Sequence, residues 1–379
     1  MALVLNEEQR LLRDTAKDFL DANAPVEALR KLRDSKDAVG YSPELWREMA
    51  AMGWANIILP EEYGGLGFGF LGLGVVMEES GRTLAASPLF ATAVVGATAL
   101  LLGGSEAQKQ QLLPAIAEGD LTLALALEES HHHHPTSIAT TAQAQDGGFL
   151  LTGEKVFVLD GHSADKLIVV ARSSGSERDA AGLSLFLVDR DAPGVTVQRT
   201  VMADSRNAAN ITLDKVAVDA GNLLGTEGDG WSILEPLLDR ARVAIAAEMM
   251  GYALECFERT VEYLKERQQF GALIGSFQAL QHRAAYMQTE IELCRSVLLQ
   301  ALSSVDETPE QLPLLASLAK TKLNDLAQLV TNEAVQMHGG IGVTDELEIG
   351  FFLKRARVAI QIFGDSGYHK DRYATLCGY

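Results

Sequence analysis

The chain has 379 residues, 47% of them hydrophobic, and a formal net charge of −19. That length exceeds one ordinary core and implies two or three domains, and the apolar fraction excludes long disorder. So acidic a chain repels nucleic acid and anionic membrane surfaces, both of which are bound through Lys and Arg. Cys256, Cys294 and Cys377 lie far apart without CxxC spacing. They argue against a disulfide framework or a zinc site and fit a reducing compartment. No basic and apolar leader opens the sequence. Apolar runs are broken by Gly or charge well before the ~20 residues of a membrane helix. A cytoplasmic protein without membrane insertion is expected.

Residues 1–120 read as a helical domain. Asn6 with Gln9 forms a capping box, and Leu12, Ala16, Phe19 and Leu20 then recur at helical spacing until Pro25. Ser42 caps another helix, with Leu45, Met49 and Met52 on one side. Residues 61–67 form a glycine-rich turn that lacks the Lys-Ser/Thr and strand–turn–helix setting of a phosphate loop. Residues 89–102 are apolar almost all round, as in a buried bundle helix, and Ser105 caps a short helix ending near Gly119.

Residues 121–230 change in texture. Short β-rich runs at 148–152, 155–159, 166–171, 183–188, 195–197, 211–213 and 216–218 are parted by Gly, Asp and Pro. That punctuation predicts a β-sandwich or barrel and is too irregular for alternating βαβ units. Residues 231–379 return to helix: one long helix or two over 232–267, another over 278–304, and a third from Pro309 to about 338. Val243, Ala247, Met250 and Leu254, and again Leu315, Leu318, Leu326 and Leu329, recur at helical spacing and predict a bundle.

Three separated pieces carry the chemistry: Glu266-Arg267-Gln268-Gln269-Phe270-Gly271, then Phe277-Gln278-Ala279, then Gln336-Met337-His338-Gly339-Gly340-Ile341-Gly342. Each alone has a plain reading, as a helix-terminal charge or a turn. Together, in this order and at these distances, they resemble the flavin-binding signature of the acyl-CoA dehydrogenase family, and the likeness covers essentially the whole chain. The resemblance implies an α+β multidomain fold: an N-terminal helical domain, a middle β-barrel or sandwich domain and a C-terminal four-helix bundle. It implies FAD, an acyl-CoA substrate and electron transfer flavoprotein as electron acceptor. It also implies a neighbouring subunit that completes the flavin site, either by self-association as a dimer of dimers or with a related chain. Arg267 and Phe270 correspond to contacts with the pyrophosphate and adenine, where a guanidinium pairs two phosphate oxygens at once. Gln269, Phe277, Gln278, Gln336, Gly339 and Gly340 correspond to the other dinucleotide contacts.

The β domain departs from the family pattern. Where the family has Thr-Glu-Pro-Gly-x-Gly-Ser against the flavin, this chain has Glu128-Glu129-Ser130-His131-His132-His133-His134-Pro135, so Glu128 takes a flavin-contact position. At a second flavin position Phe157-Val158-Leu159 keeps the aromatic at Phe157 and loses the hydroxyl. Adjacent loop histidines do not all reach one tetrahedral metal, so a solvated loop is preferred and no metal is expected. Contact of His131 or His134 with a CoA phosphate is a further option. Glu128-x-x-His131 and Glu129-x-x-His132 have di-iron spacing but fall in a loop, whereas a di-iron site needs facing helices.

The family's catalytic glutamate lies in Tyr-Glu-Gly-Thr, and this chain reads Phe363-Gly364-Asp365-Ser366 there. Some relatives place the glutamate just before the helix arginine, which here is Ala241. Asp365 is the candidate base, with a turn-forming role as the alternative. Gly364 offers its backbone N–H to the thioester carbonyl, Ser366 falls at a cofactor position, and Asp239 and Arg242, at the opening of the long helix, face the substrate or are plain surface charges. The expected activity is FAD-dependent α,β-dehydrogenation of an acyl-CoA. The alternatives are a catalytically degenerate partner subunit of a heteromeric dehydrogenase and other flavin chemistry on a CoA ester.

Overall fold

The computed structural model describes residues 4–379. Six helices come first: α1 (Glu7–Asn23), α2 (Val26–Ser35), α3 (Pro43–Ala51), α4 (Gly69–Thr83), α5 (Ala97–Gly103) and α6 (Glu106–Ala117). Eight strands follow: β1 (Leu123–Ala126), β2 (Thr141–Gln145), β3 (Gly148–Leu159), β4 (Lys166–Arg172), β5 (Leu183–Asp189), β6 (Val195–Val201), β7 (Asn207–Asp219) and β8 (Leu223–Leu224). Then come α7 (Trp231–Glu266), a short hairpin of β9 (Gln268–Gln269) and β10 (Ala272–Leu273), α8 (Gln278–Glu307), α9 (Leu312–His338), α10 (Ile349–Gln361) and α11 (Ser366–Leu376).

Local side-chain chemistry sets several of these boundaries. Asn6 Oδ1 accepts the Gln9 N–H while Gln9 Oε1 accepts the Asn6 N–H, and Ser105 and Gln108 repeat the arrangement at α6. Each box satisfies two donors that a helix start leaves unpaired. Ser42 caps α3. Residues 89–102 are not one α-helix, as expected, but a π-helical segment (Leu89–Gly96) running into α5. Within it Thr92 Oγ1 bonds both the N–H and the C=O of Leu123 on β1. The paired runs expected at 148–159 and 211–218 are each one strand, β3 and β7, whose mutual register shifts at Leu151/Gly153 and Lys155/Val158. Such bulges bend a strand without ending it.

The chain divides into two compact units. One comprises residues 32–69 and 86–241 and holds the sheet, in strand order β6-β7-β3-β2-β4-β5-β8 with β1 parallel to β4. The sheet curls: Phe149 of β3 and Phe186 of β5 lie on strands that are not neighbours in that order, yet their rings meet at 5.0 Å. Leu151, Val158, Leu167, Val169, Ile211 and Val216 fill the core so enclosed. Alternation of buried and exposed positions along β7 gives its residues two distinct faces.

The other unit comprises residues up to 31, 70–85 and 242–379 and is helical. Here α4 and α7 cross at glycines. A Cβ on Gly81 would run into the carbonyl of Glu248, and one on Gly251 into the carbonyl of Glu78, so backbone touches backbone at both points. Glu248 is buried against Arg355 of α10, Oε1 to Nε 2.7 Å. Beside the crossing, the Arg82 guanidinium is shared by Glu79 at 3.8 Å, Glu255 at 3.2 Å and Glu258. Glu79 also lines a cavity of about 210 Å³ with Leu71, Val75, Leu298 and Leu302. Burial pushes the Glu79 carboxyl from its ordinary 4.5 up to about 7, and Arg82 only partly opposes it.

That shift ties stability to pH. The folded state holds the Glu79 proton more tightly than an unfolded chain, so stability present below about 4.5 is lost as pH rises through about 7. Glu79→Gln removes the loss. Its melting temperature is expected to exceed that of the unaltered chain by a few degrees at pH 8, with the gap closing toward pH 5. A gap of the same size at both pH values would show that Glu79 does not carry the effect.

Candidate active site

The first of the three sequence pieces begins where α7 ends. The Arg267 N–H bonds the Tyr263 carbonyl and the Arg267 carbonyl accepts the Ile274 N–H, closing the β9–β10 hairpin. Its two-residue turn is Phe270 and Gly271, with φ of 54° and 74°. Both angles are positive, as a twisted two-residue hairpin requires. Phe270 is thereby held out at 93% exposure, with its ring edge-on to Phe277. Arg267, Gln269 and Gln278 are exposed too. Phe277 precedes α8 and no side chain caps that helix, so its first N–H groups meet whatever stands outside.

The third piece is brought to the same end of the unit. Tyr263 of α7 stacks on His338 of α9 at 4.4 Å, and its hydroxyl donates to the His338 carbonyl at 3.4 Å. α9 ends on Gly339 with φ 64°. Gln336, Gly339 and Gly340 are exposed, and a Cβ on either glycine would meet nothing within 4 Å. Packing within the unit does not require glycine there. The open space admits a group from outside to the backbone itself.

In the sheet unit, the loop 128–135 is anchored at its base. Glu128 Oε1 lies 2.5 Å from His133 Nδ1. Glu129 accepts the Ala139 and Thr140 N–H groups and the Lys155 ammonium at 2.6 Å. Lys155 is wholly buried; burial lowers its pKa to about 8, against the pull of Glu129. Arg172 gathers the carbonyls of Thr136, Ile138, Ser174, Glu177, Asp179 and Ala181 and so ties two loops together. His131, His132 and His134 are left exposed, while the His133 side chain is buried. Phe157, half-buried with φ 53°, sits in the β3 bulge, and Val158 turns into the core.

Asp239 and Arg242 do not open α7; the helix begins at Trp231, about two turns earlier. Both are buried at 1% exposure. Arg242 Nε donates to the Phe363 carbonyl at 3.1 Å and Nη2 to the Tyr368 hydroxyl at 3.2 Å, with the guanidinium over the Tyr368 ring. His369 Nε2 reaches the same carbonyl at 3.1 Å. Phe363 and Gly364 carry φ of 53° and 115°. A Cβ on Gly364 would lie 2.5 Å from Tyr368 Cδ1 and 2.7 Å from His369 Nε2, so the start of any side chain there is already occupied. Asp365 is the N-cap of α11, its Oδ1 accepting the Tyr368 N–H at 2.8 Å. Ser366 donates to Asp325 at 2.8 Å. Ala241 is fully buried.

Residues 6–120, 124–216 and 228–375 match, in turn, the N-terminal, middle and C-terminal domains of acyl-CoA dehydrogenase. An acyl-CoA dehydrogenase of Bacillus subtilis is 31% identical over 93% of each chain. The chain belongs to the acyl-CoA dehydrogenase family. Among solved structures, a variant of the Tcur3481-Tcur3483 steroid ACAD is 32% identical, with a TM-score of 0.88 and 98% of each chain covered. The ChsE4-ChsE5 complex from Mycobacterium tuberculosis is 26% identical, with a TM-score of 0.90 over 100% of this chain and 99% of that one. The three-domain acyl-CoA dehydrogenase fold expected from the sequence is therefore the fold found, and the chain is of an oxidoreductase class that acts on CH–CH bonds.

FAD is the cofactor of this family, and FAD complexes are among the similar structures. The helical unit fits its dinucleotide end: an exposed guanidinium at Arg267, an uncapped helix N-terminus and two glycines with clear space. The sheet unit offers the half-buried Phe157 ring, with Val158 turned into the core beside it. Sequence reasoning missed Tyr263, Tyr368 and His369, which position the pieces above. Because Arg267 is exposed, its loss leaves the fold alone. Arg267→Ala is expected to weaken FAD binding about tenfold or more at an unchanged melting temperature, read from flavin absorbance after gel filtration. Full retention of flavin would remove Arg267 from the site.

Proposed function

We propose that this chain is one of two unlike chains in a heteromeric FAD-dependent acyl-CoA dehydrogenase. It holds the dinucleotide end of FAD and an acyl-CoA thioester, and the base that removes the α proton belongs to the partner chain. One observation carries the reading: neither base position bears a carboxylate, and at Gly364 the space for one is filled by Tyr368 and His369. Asp365, the remaining candidate, is engaged as a helix cap. Two of the similar structures carry two-component names, Tcur3481-Tcur3483 and ChsE4-ChsE5, which supports a paired assembly.

The reaction takes a proton from the α carbon and a hydride from the β carbon. FAD, when bound, supplies the acceptor for the hydride. The α proton is weakly acidic, so donors must meet the thioester oxygen as negative charge develops on it. In this chain the Gly364 N–H fills that part. Exposed Phe270, Leu273, Phe277, Ile341 and Val343 fit burial against the partner chain. Electrons leave for an electron transfer flavoprotein; a chain solved in the work on the electron transferring flavoprotein of Acidaminococcus fermentans shares this fold, 29% identical at a TM-score of 0.92.

The test is an anaerobic titration of the chain purified alone and loaded with FAD, using a panel of acyl-CoAs. No flavin bleaching is expected. Gly364→Glu is not expected to restore it, because its Cβ meets Tyr368 and His369. Bleaching by the unaltered chain that Asp365→Asn abolishes would overturn the proposal and make Asp365 the base.

A further inference from the structure

Lys320 lies on α9 with no exposed surface. Its Nζ donates to Asn324 Oδ1 at 2.7 Å and to the carbonyls of Ala359, Ile360 and Gly364 at 3.1, 3.2 and 3.2 Å. Burial and the nearby Arg242 push its pKa well down, with Asp365 opposing. All four neighbours are oxygens that accept, however, and an ammonium has three hydrogens to give them. A neutral amine would turn its lone pair toward one of those oxygens, so the surroundings favour the charged form. Two of the carbonyls end α10, where a helix leaves its last carbonyls unpaired and favours a cation.

The consequence falls on the turn. Arg242 and His369 hold the Phe363 carbonyl, while Lys320, with Asn324 Nδ2 at 3.5 Å, holds the Gly364 carbonyl. In a trans peptide the C=O and the following N–H point in opposite directions. Both carbonyls point at the buried donors, so the N–H groups of Gly364 and Asp365 point away from them. The Gly364 N–H meets Gln361 O only at 3.5 Å, the outer limit of a hydrogen bond. Donors on a carbonyl also polarise its peptide and strengthen the N–H beyond it.

We infer that Lys320 is a positioning residue: it holds the Gly364 carbonyl inward while Arg242 and His369 hold the Phe363 carbonyl, and so fixes Gly364 from its C-terminal side in the turn whose Gly364 N–H receives the carbonyl oxygen of an acyl thioester. The inference rests on the reading that this chain binds acyl-CoA, and it is independent of where the base lies.

The experiment compares butyryl-, octanoyl- and palmitoyl-CoA with their S-alkyl thioether analogues, which lack the carbonyl. Binding to the FAD-loaded chain is measured by calorimetry. The unaltered chain is expected to prefer the thioester. Lys320→Met is expected to weaken the thioester about tenfold and leave the thioether within about twofold. Asn324→Ala shifts the ratio the same way by less, and decides the matter if Lys320→Met does not fold. Equal loss for both ligands, or no loss for either, would overturn the inference. An unaltered chain that binds neither ligand would overturn the acyl-CoA reading itself, and with it this inference.

Discussion

A cluster of buried cationic and polar donors facing two adjacent carbonyls organises the helical unit. Arg242 comes from α7, Lys320 and Asn324 from α9, and His369 from α11, and all converge on the end of α10 and the Phe363–Gly364 turn. Buried cations are costly unless hydrogen-bonded. Here each finds oxygens, and the turn cannot reverse without stranding them. Four helices are thus held by one set of contacts, and the strained φ at Phe363 is sustained by it.

The same arrangement resolves a tension in the composition. A chain of net charge −19 is a poor host for CoA or a dinucleotide, both anions. Cations are placed locally instead: Arg267 stands exposed by the uncapped end of α8, and Arg242 and Lys320 lie beneath the turn. Negative charge is left to surfaces and to networks such as the carboxylates around Arg82. At Gly364, Tyr368 and His369 occupy the space that a side chain would need, and His369 is part of the lock itself.

Much of this is legible in the sequence where the signal is local. Asn6, Ser42 and Ser105 announce their helices, because a cap depends on residues three positions apart. The start of α7 is read to within a residue, but the Asp239 and Arg242 charges look like a solvent-facing first turn and are in fact buried about two to three turns in. Strand β3 reads as two because Gly153 and the bulge near Phe157 interrupt its pattern without ending its pairing. Lys320 is readable in principle. It falls four residues after Ala316 and three before Leu323, on the buried stripe of α9, where a lysine needs partners. Which partners it finds depends on α10 and α11, which no spacing within α9 reveals. Membrane insertion is not expected from the sequence, and no helix among the described residues is long and apolar enough to span a bilayer.

If the base lies on the partner chain, this chain receives an acyl-CoA but removes no proton from it. Proton removal can be followed without the flavin reaction, by incubating the chain with acyl-CoA in deuterated water and observing the α position by NMR. With this chain alone, α-proton exchange is expected to stay at the buffer rate. Exchange above that rate, lost on Asp365→Asn or on changing another carboxylate of this chain, would contradict it.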